Sequence, residues 1–327
     1  MYCNIFVTMK CNLNCTYCYV DKGSNKNMGR DKIDNIISFI NRMLRENNDN
    51  LLVINFFGGE PLVGFNFIKE LIRNIESMIS VKAKFVMTTN GTLLTKEKVD
   101  YLKEKRFSLS LSMDGTPKIH NKYRVTKVGE PSWPLIEKNL SYALEQFRNM
   151  MARLTFNSVT CESLCESVDF AVNNGFRIIK VVPDYFDQEW SENRFMVLKK
   201  QIFMIREHMK LPKYKDVLIS LFDNEIKLCG DCEGGRSHFT IDIEGDIYPC
   251  TYVINESKFK IGTISEWNSY EKQCYKIKEE ERTQCLGCRY YNCCTSKRCL
   301  FINYRMTGNF GEPSGFFCEY EKLLFSL

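Results

Sequence analysis

The chain has 327 residues, enough to bury one large core or two smaller ones, with 44% hydrophobic and 26% charged residues. Lys and Arg number 45 against 40 Asp and Glu, and the net charge of +5 is spread out, so no basic block points to nucleic acid. The longest apolar runs, such as 51–54, are too short to cross a bilayer and no signal peptide precedes them, so a cytoplasmic protein away from the membrane is expected.

Short apolar runs alternate with helical patterns over the first two-thirds. Strands are predicted over 3–8, 51–57, 83–88, 107–112, 153–159 and 177–182, each with β-branched or aromatic content and most ending near Gly, Asn, Pro or Asp. Amphipathic stretches over 31–47, 67–79, 95–105, 135–150, 163–173 and 191–209 read as helices. In the first, Ile33, Ile36, Ile37, Ile40, Met43 and Leu44 share a face, with Asp31 and Asp34 early and Arg42 and Arg45 late. Six βα units in a row imply a parallel sheet, and six rather than eight imply an open partial barrel. From about Leu211 the helical period fades while Cys and Gly rise. The expected division is a barrel over 1–210, a bridging segment over 211–228 and a small cysteine-rich α+β domain over 229–327. Within the last, 239–248 reads as a β-hairpin.

In parallel barrels the chemistry collects after the C-terminal ends of the strands. The unusual residues fall there. Lys10-Cys11-Asn12-Leu13-Asn14-Cys15-Thr16-Tyr17-Cys18 follows the first strand, Gly58-Gly59-Glu60-Pro61 the second and Thr89-Asn90-Gly91 the third. Ser112-Met113-Asp114-Gly115-Thr116-Pro117 follows the fourth and continues to His120 and Arg124. The glycines suit a close backbone approach to a ligand, Glu60 can accept from an ammonium group, and the Arg124 guanidinium suits a carboxylate.

The chain has 16 cysteines, and ten of them lie between Cys229 and Cys318. In a long chain without a secretion signal, such crowding reads as metal ligation rather than disulfides. Three thiolates spaced Cys-x3-Cys-x2-Cys can hold three irons of a four-iron cluster and leave the fourth open, whereas structural zinc wants four ligands. Cys285-x2-Cys288 taken alone also fits zinc. Cys161 and Cys165 are four apart, read either as buried small residues or as a hydrogen donor or substrate contact. Asp114, Asp184 and Tyr185 are other proton acceptors to consider.

The cysteine loop with Tyr17 resembles the signature of the radical S-adenosylmethionine (SAM) enzymes. Gly58-Gly59-Glu60 resembles that family's motif for the SAM amino group. The run from Ser112 to Arg124 resembles a segment of its peptide- and protein-modifying members, with Thr116 a small departure. The resemblance implies a [4Fe-4S] cluster on Cys11, Cys15 and Cys18, and SAM held near Tyr17, Gly58, Gly59, Glu60, Asn90, Ser112 and Arg124. It also implies a 5′-deoxyadenosyl radical as the reactive species.

The C-terminal spacing, Cys232 with Gly245-x4-Cys250 and then Cys285-x2-Cys288, Cys294, Cys299 and Cys318, resembles the SPASM domain. That implies two auxiliary [4Fe-4S] clusters. One would use Cys232, Cys250 and Cys299 with Cys229 as a candidate fourth ligand; the other would use Cys285, Cys288, Cys294 and Cys318. Cys293 is an alternative to Cys294, because four residues rather than three separate Cys294 from Cys299. The implied partners are a Cys-containing peptide or protein substrate and an electron donor such as flavodoxin or ferredoxin. The expected activity is oxidation of a ribosomal peptide to a thioether or other crosslink. Formylglycine formation by an anaerobic sulfatase maturase and peptide epimerisation, which needs a thiol donor such as Cys161, are the alternatives. No leader-binding domain is expected ahead of the cysteine loop, which lowers the weight of the peptide maturase somewhat unless the leader is short or separately recognised.

Overall fold

Period-two burial runs through the strands, with one residue turned into the helix layer and the next into the lumen. The computed structural model describes residues 1–20, 25–222, 230–254, 256–266, 275, 277–278 and 281–327. Strands β1 (Tyr2–Thr8), β2 (Leu51–Gly58), β3 (Lys82–Thr89), β4 (Ser108–Ser112), β5 (Met151–Phe156) and β6 (Ile178–Pro183) pair in parallel, in sequence order. A two-residue β7 (Leu218–Ile219) extends the edge beyond β6. Crossover helices α1 (Ile33–Asn47), α2 (Phe65–Met78), α3 (Lys96–Glu104), α5 (Trp133–Gln146) and α6 (Leu164–Asn173) return the chain between strands, and α7 (Glu192–His208) follows β6. The expected partial barrel of six βα units is therefore present.

The helix faces follow the sequence. On α1 the buried residues are Ile33, Ile36, Ile37, Phe39, Ile40, Met43 and Leu44, and Asn48 closes the helix in the left-handed conformation. Thr95 and Ser191 cap α3 and α7 by accepting from Lys98 N and Arg194 N. The fully buried Ile5, Phe6, Ile54 and Phe56 of β1 and β2 contribute about 1.5–3 kcal/mol each by leaving water.

Two departures affect the site. The strand predicted over 153–159 starts two residues earlier and stops at Phe156. There the Asn157 side chain accepts from Val159 N and Thr160 N at 3.0 and 2.8 Å and bends the chain into a turn. A short helix α4 (Pro117–Tyr123), not anticipated from the sequence, opens with proline at its first position and presents Arg124 at its end.

The hairpin forms as β8 (His238–Ile241) and β9 (Asp246–Tyr248), followed by β10 (Gly262–Thr263). β8 also pairs in parallel with β1, Tyr2 opposite His238, so the cysteine-rich region continues the barrel sheet. Helices α8 (Thr295–Arg298), α9 (Leu300–Thr307) and α10 (Gly315–Phe325) complete it. A second small core of Tyr248, Val253, Phe259 and Phe301 lies beside Cys232 and Cys250.

Candidate cluster and SAM site

The cysteine loop is braced by the barrel rather than by itself. Asn14 N donates to Val125 O at 2.7 Å, Thr16 N to Tyr123 O at 2.9 Å, and Leu13 bridges Thr126, so the segment after α4 forms one wall. Asn90 at the end of β3 forms another. Its Nδ2 donates to Asn12 Oδ1 at 3.0 Å and lies 3.8 Å from Cys11 Sγ. Cys11 and Cys15 are half-buried and Cys18 is exposed. Burial, with smaller contributions from Cys15 and Cys18, pushes the Cys11 thiol up to about 11. A bound metal reverses that preference, because a coordinating thiol is deprotonated.

The Gly-Gly-Glu turn locks onto the same loop. Gly59 N donates to Thr8 O at 3.0 Å and Glu60 N to Lys10 O at 2.9 Å. Gly58 sits at φ +149°, where a Cβ would lie 2.2 Å from Thr8 O, and a Cβ on Gly59 would lie 2.5 Å from Lys10 O. The close approach that needs glycine is thus to the chain's own first strand. The Glu60 carboxylate is buried and accepts from Leu62 N at 3.1 Å, Thr89 Oγ1 at 2.7 Å and Asn90 N at 2.7 Å. Desolvation raises its pKa, and these three bonds pull the other way. Glu60 therefore ties the ends of β2 and β3 together and aims Asn90 at the cysteine loop. The three internal donors occupy three of the roughly four acceptor sites of the carboxylate.

Arg124 is similarly engaged. Its Nε donates to Asp114 at 3.0 Å, Nη1 lies 4.0 Å from Cys15 Sγ, and the guanidinium stands 5.3 Å from the centroid of the Tyr17 ring. Asp114 also accepts from Tyr17 OH at 2.5 Å and Thr155 N at 3.3 Å. The cation is held beside the thiols, where it offsets thiolate or cluster charge. Asp114 thus joins Arg124, Tyr17 and the Thr155 backbone in one network. His120 is buried, bonded to Ser132 Oγ at 3.0 Å, and Ser132 donates to Arg124 O at 2.5 Å. Burial and the Arg124 charge lower the His120 pKa to about 3, so it is neutral and positions Arg124.

Ser112 ends β4 in the layer of Arg153 and Lys180, its register neighbours across β5 and β6. These two lumen-facing cations escaped the sequence reading, which took Arg153 as the flank of a strand. Strand alternation could have flagged each, but only the register places them side by side. Asp184, which lines a crevice with Tyr17 and Asp114, has its pKa raised by desolvation.

The C-terminal thiols gather in two groups. Cys232, Cys250 and Cys299 come from three segments and interact electrostatically with one another; burial pushes Cys250 to about 11 and Cys299 to about 12. Cys229 lies outside the described residues. Cys285, Cys288, Cys294 and Cys318 line one cavity of about 220 Å³. Cys293 is absent from that lining, which favours Cys294 as the ligand. Four half-buried thiols around one void fit an iron–sulfur cluster as a donor set. Tyr19 of the first loop meets Tyr252 at 5.3 Å, and Tyr252 meets Phe186 at 5.8 Å, linking the two cysteine regions through aromatic contacts. Cys161 is fully buried, its thiol on Ser158 O at 3.2 Å and Arg194 O at 3.7 Å, which removes it as a donor to a substrate radical.

Among the described residues no helix is long and apolar enough to cross a membrane. The chain is 28% identical to a cysteine-type anaerobic sulfatase-maturating enzyme of Clostridium novyi over 96% of this chain and 91% of that one. It is 29% identical to the radical SAM cyclopropyl synthase TigE of Paramaledivibacter caminithermalis over 55% of this chain and 40% of that one. Its fold matches the structure of anSMEcpe with bound AdoMet and Cp18Cys peptide with a TM-score of 0.78 at 20% identity, over 99% of this chain and 95% of that one. It also matches Streptococcus suis SuiB bound to S-adenosylmethionine with a TM-score of 0.68 at 18% identity, over 97% and 77%. The Radical SAM superfamily profile covers residues 5–171, just over half the chain, and the chain belongs to that superfamily of SAM- and [4Fe-4S]-dependent enzymes.

Proposed function

We propose that this enzyme oxidises a cysteine-containing polypeptide by hydrogen abstraction. Cys11, Cys15 and Cys18 hold the SAM-binding cluster, Cys232, Cys250 and Cys299 hold one auxiliary cluster, and Cys285, Cys288, Cys294 and Cys318 hold a second. The observation that carries this reading is the near full-length match to a cysteine-type sulfatase-maturating enzyme, together with the two groups of C-terminal thiols. Bound on the first loop, the cluster supplies the electron that cleaves SAM to a carbon-centred radical.

The chain's own residues do the rest. Asn90, Asn12 and Glu60 fix the cysteine loop, and Arg124 compensates its charge. Tyr17, Gly58, Gly59, Glu60, Asn90 and Ser112 would hold SAM, and the Arg124 guanidinium would suit its carboxylate. The Ser112 hydroxyl has no protein partner among the described residues and is free for such a ligand. A groove of about 870 Å³ between the segment after β6 and the α9–α10 region, lined by Tyr185, Trp190, Phe195, Arg305 and Phe316, gives a polypeptide room to enter. The substrate loses one hydrogen atom to the radical and then a proton and an electron. Auxiliary clusters, held by Cys232, Cys250 and Cys299 and by Cys285, Cys288, Cys294 and Cys318, would supply an acceptor for that electron, and flavodoxin or ferredoxin would supply the reducing electron to a cluster held by Cys11, Cys15 and Cys18.

The full-length match favours formylglycine as the product, in which water replaces the thiol sulfur and hydrogen sulfide leaves. When the hydrogen atom and the electron are lost instead from a carbon of a second residue, attack by the cysteine sulfur with loss of its proton gives the thioether. Anaerobic incubation of the reconstituted enzyme with SAM, dithionite and a cysteine-containing sulfatase peptide tests this by mass spectrometry. Exchange of sulfur for oxygen with loss of two hydrogens is the expected result. Loss of two hydrogens with sulfur retained, in a small cysteine-rich peptide, supports the crosslink. 5′-Deoxyadenosine formation without any peptide change would count against both.

A further inference from the structure

Arg153 on β5 and Lys180 on β6 are direct register partners. Burial along each strand alternates so that Ala152, Leu154, Ile179 and Val181 pack into the helix layer, and Arg153 and Lys180 turn into the lumen. Neither side chain has an ion-pair or hydrogen-bond partner among the described residues. Two like charges side by side on adjacent strands repel one another. Desolvation, followed by the charge of Arg153, lowers the Lys180 pKa. A shared anion would relieve that repulsion.

Among the described residues no carboxylate forms an ion pair with either cation, although Asp184 and Arg153 both act on Tyr252. Arg124 is occupied with Asp114 beside Cys15, on the side of the first cysteine loop. Arg153 and Lys180 reach both cysteine regions: Cys299 acts on Lys180, and Arg153 acts on Tyr19, beside Cys18, and on Tyr252, beside Cys250. The pair stands in the layer of Ser112, between the first cysteine loop and the C-terminal cysteines. A substrate residue must occupy that space if it is to lose hydrogen on one side and an electron on the other.

We propose that Arg153 and Lys180 form a carboxylate-binding pair that selects a polypeptide with an acidic side chain close to the residue being oxidised. This rests on the polypeptide-oxidising reading and adds a substrate chemistry to it. A planar guanidinium takes a carboxylate through two parallel hydrogen bonds, and the adjacent ammonium adds a third donor. Charge-assisted hydrogen bonds of this kind support about ten- to hundredfold discrimination against the neutral amide.

The test separates binding from turnover. Immobilised holoenzyme loaded with SAM is offered synthetic decapeptides with a fixed central Cys and randomised flanks. Captured peptides are sequenced, and mass change is followed in a parallel reaction. Captured peptides enriched about tenfold or more in Asp or Glu at one flanking position are the expected result. Arg153→Met loses that enrichment, Arg153→Lys keeps it, and Lys180→Glu turns it toward Lys and Arg. Iron content of each variant checks its folding and cluster loading, and only variants with wild-type iron are compared.

Acidic enrichment without any mass change upholds the pair and overturns the proposed reaction. Mass change without acidic enrichment does the reverse. A loss of SAM affinity in Arg153→Met by equilibrium dialysis, with peptide selection intact, assigns the pair to the SAM carboxylate and overturns the proposal. An unchanged peptide profile in Lys180→Glu overturns it as well, and leaves Lys180 as a counter-charge to Cys299.

Discussion

The two cysteine regions reach the same donor chemistry by opposite routes. The first packs Cys11, Cys15 and Cys18 into eight consecutive residues, and the barrel supplies the bracing through Asn90, Tyr123, Val125 and Arg124. The second draws Cys232, Cys250 and Cys299 from three separate segments, and Cys285, Cys288, Cys294 and Cys318 from three, one of them shared because Cys294 and Cys299 flank α8. Its bracing is a small aromatic core and short helices. Local spacing therefore encodes the first site, and tertiary packing encodes the second.

The largest effect should come from the local site. Cys15→Ala removes one of three ligands on a loop with no substitute thiol, so 5′-deoxyadenosine formation should fall below detection. Iron should drop from about twelve to about eight per chain if the C-terminal clusters are independent of the first. A loss of all iron would show that the two regions load as one unit and would break the comparison.

The next effect separates neighbours in sequence. Cys294→Ala should cost about four irons, and Cys293→Ala should leave the iron content unchanged. Equal losses would mean that the cavity rearranges on loading. The thiol of Cys294 is pushed up to about 11 by burial, so its metal-free form is protonated and loading should release a proton there.

A smaller effect is expected at Glu60. Glu60→Gln keeps the size but puts an amide donor against Leu62 N, Thr89 or Asn90 N. That should cost about 1–3 kcal/mol of stability, read as a lower Tm. Because Asn90 then loses its aim at the cysteine loop, SAM affinity should weaken about tenfold with iron retained. Weakened SAM binding without a change in Tm would return the Glu60 side chain to direct ligand contact.

The smallest effect is a pH dependence. The His120 pKa is depressed from 6.5 to about 3, so the folded state keeps the imidazole neutral while the unfolded chain protonates it. The stability this contributes is complete above about pH 6.5 and is lost as pH falls toward 3. The Tm of the wild type should therefore decline across that window, and His120→Asn should flatten the decline. An unchanged slope would place the acid sensitivity in other groups.

Strand and helix positions in the barrel were legible because period-two and period-3.6 burial are written directly into residues such as Ile36, Ile40 and Met43 of α1. The turn at Asn157 and the helix from Pro117 were missed or misplaced because each depends on local side-chain bonding that overrides strand propensity or extends a turn. The cysteine loop was legible for the same local reason: its ligands are neighbours in sequence.

The internal partners of Glu60 and Arg124 were not legible. Only packing shows that Thr89, Asn90 and Leu62 donate to the one and that the other donates to Asp114. Nor could spacing choose Cys294 over Cys293, since both are two residues or fewer from the expected position and only the cavity wall distinguishes them. The sequence by itself determined the ligand types, the βα order and the superfamily, because those rest on contacts within a few residues. The tertiary structure decided which polar groups remain free for a ligand, and it set Arg153 beside Lys180. Strand register and burial join residues far apart in the chain, and no local pattern carries that information.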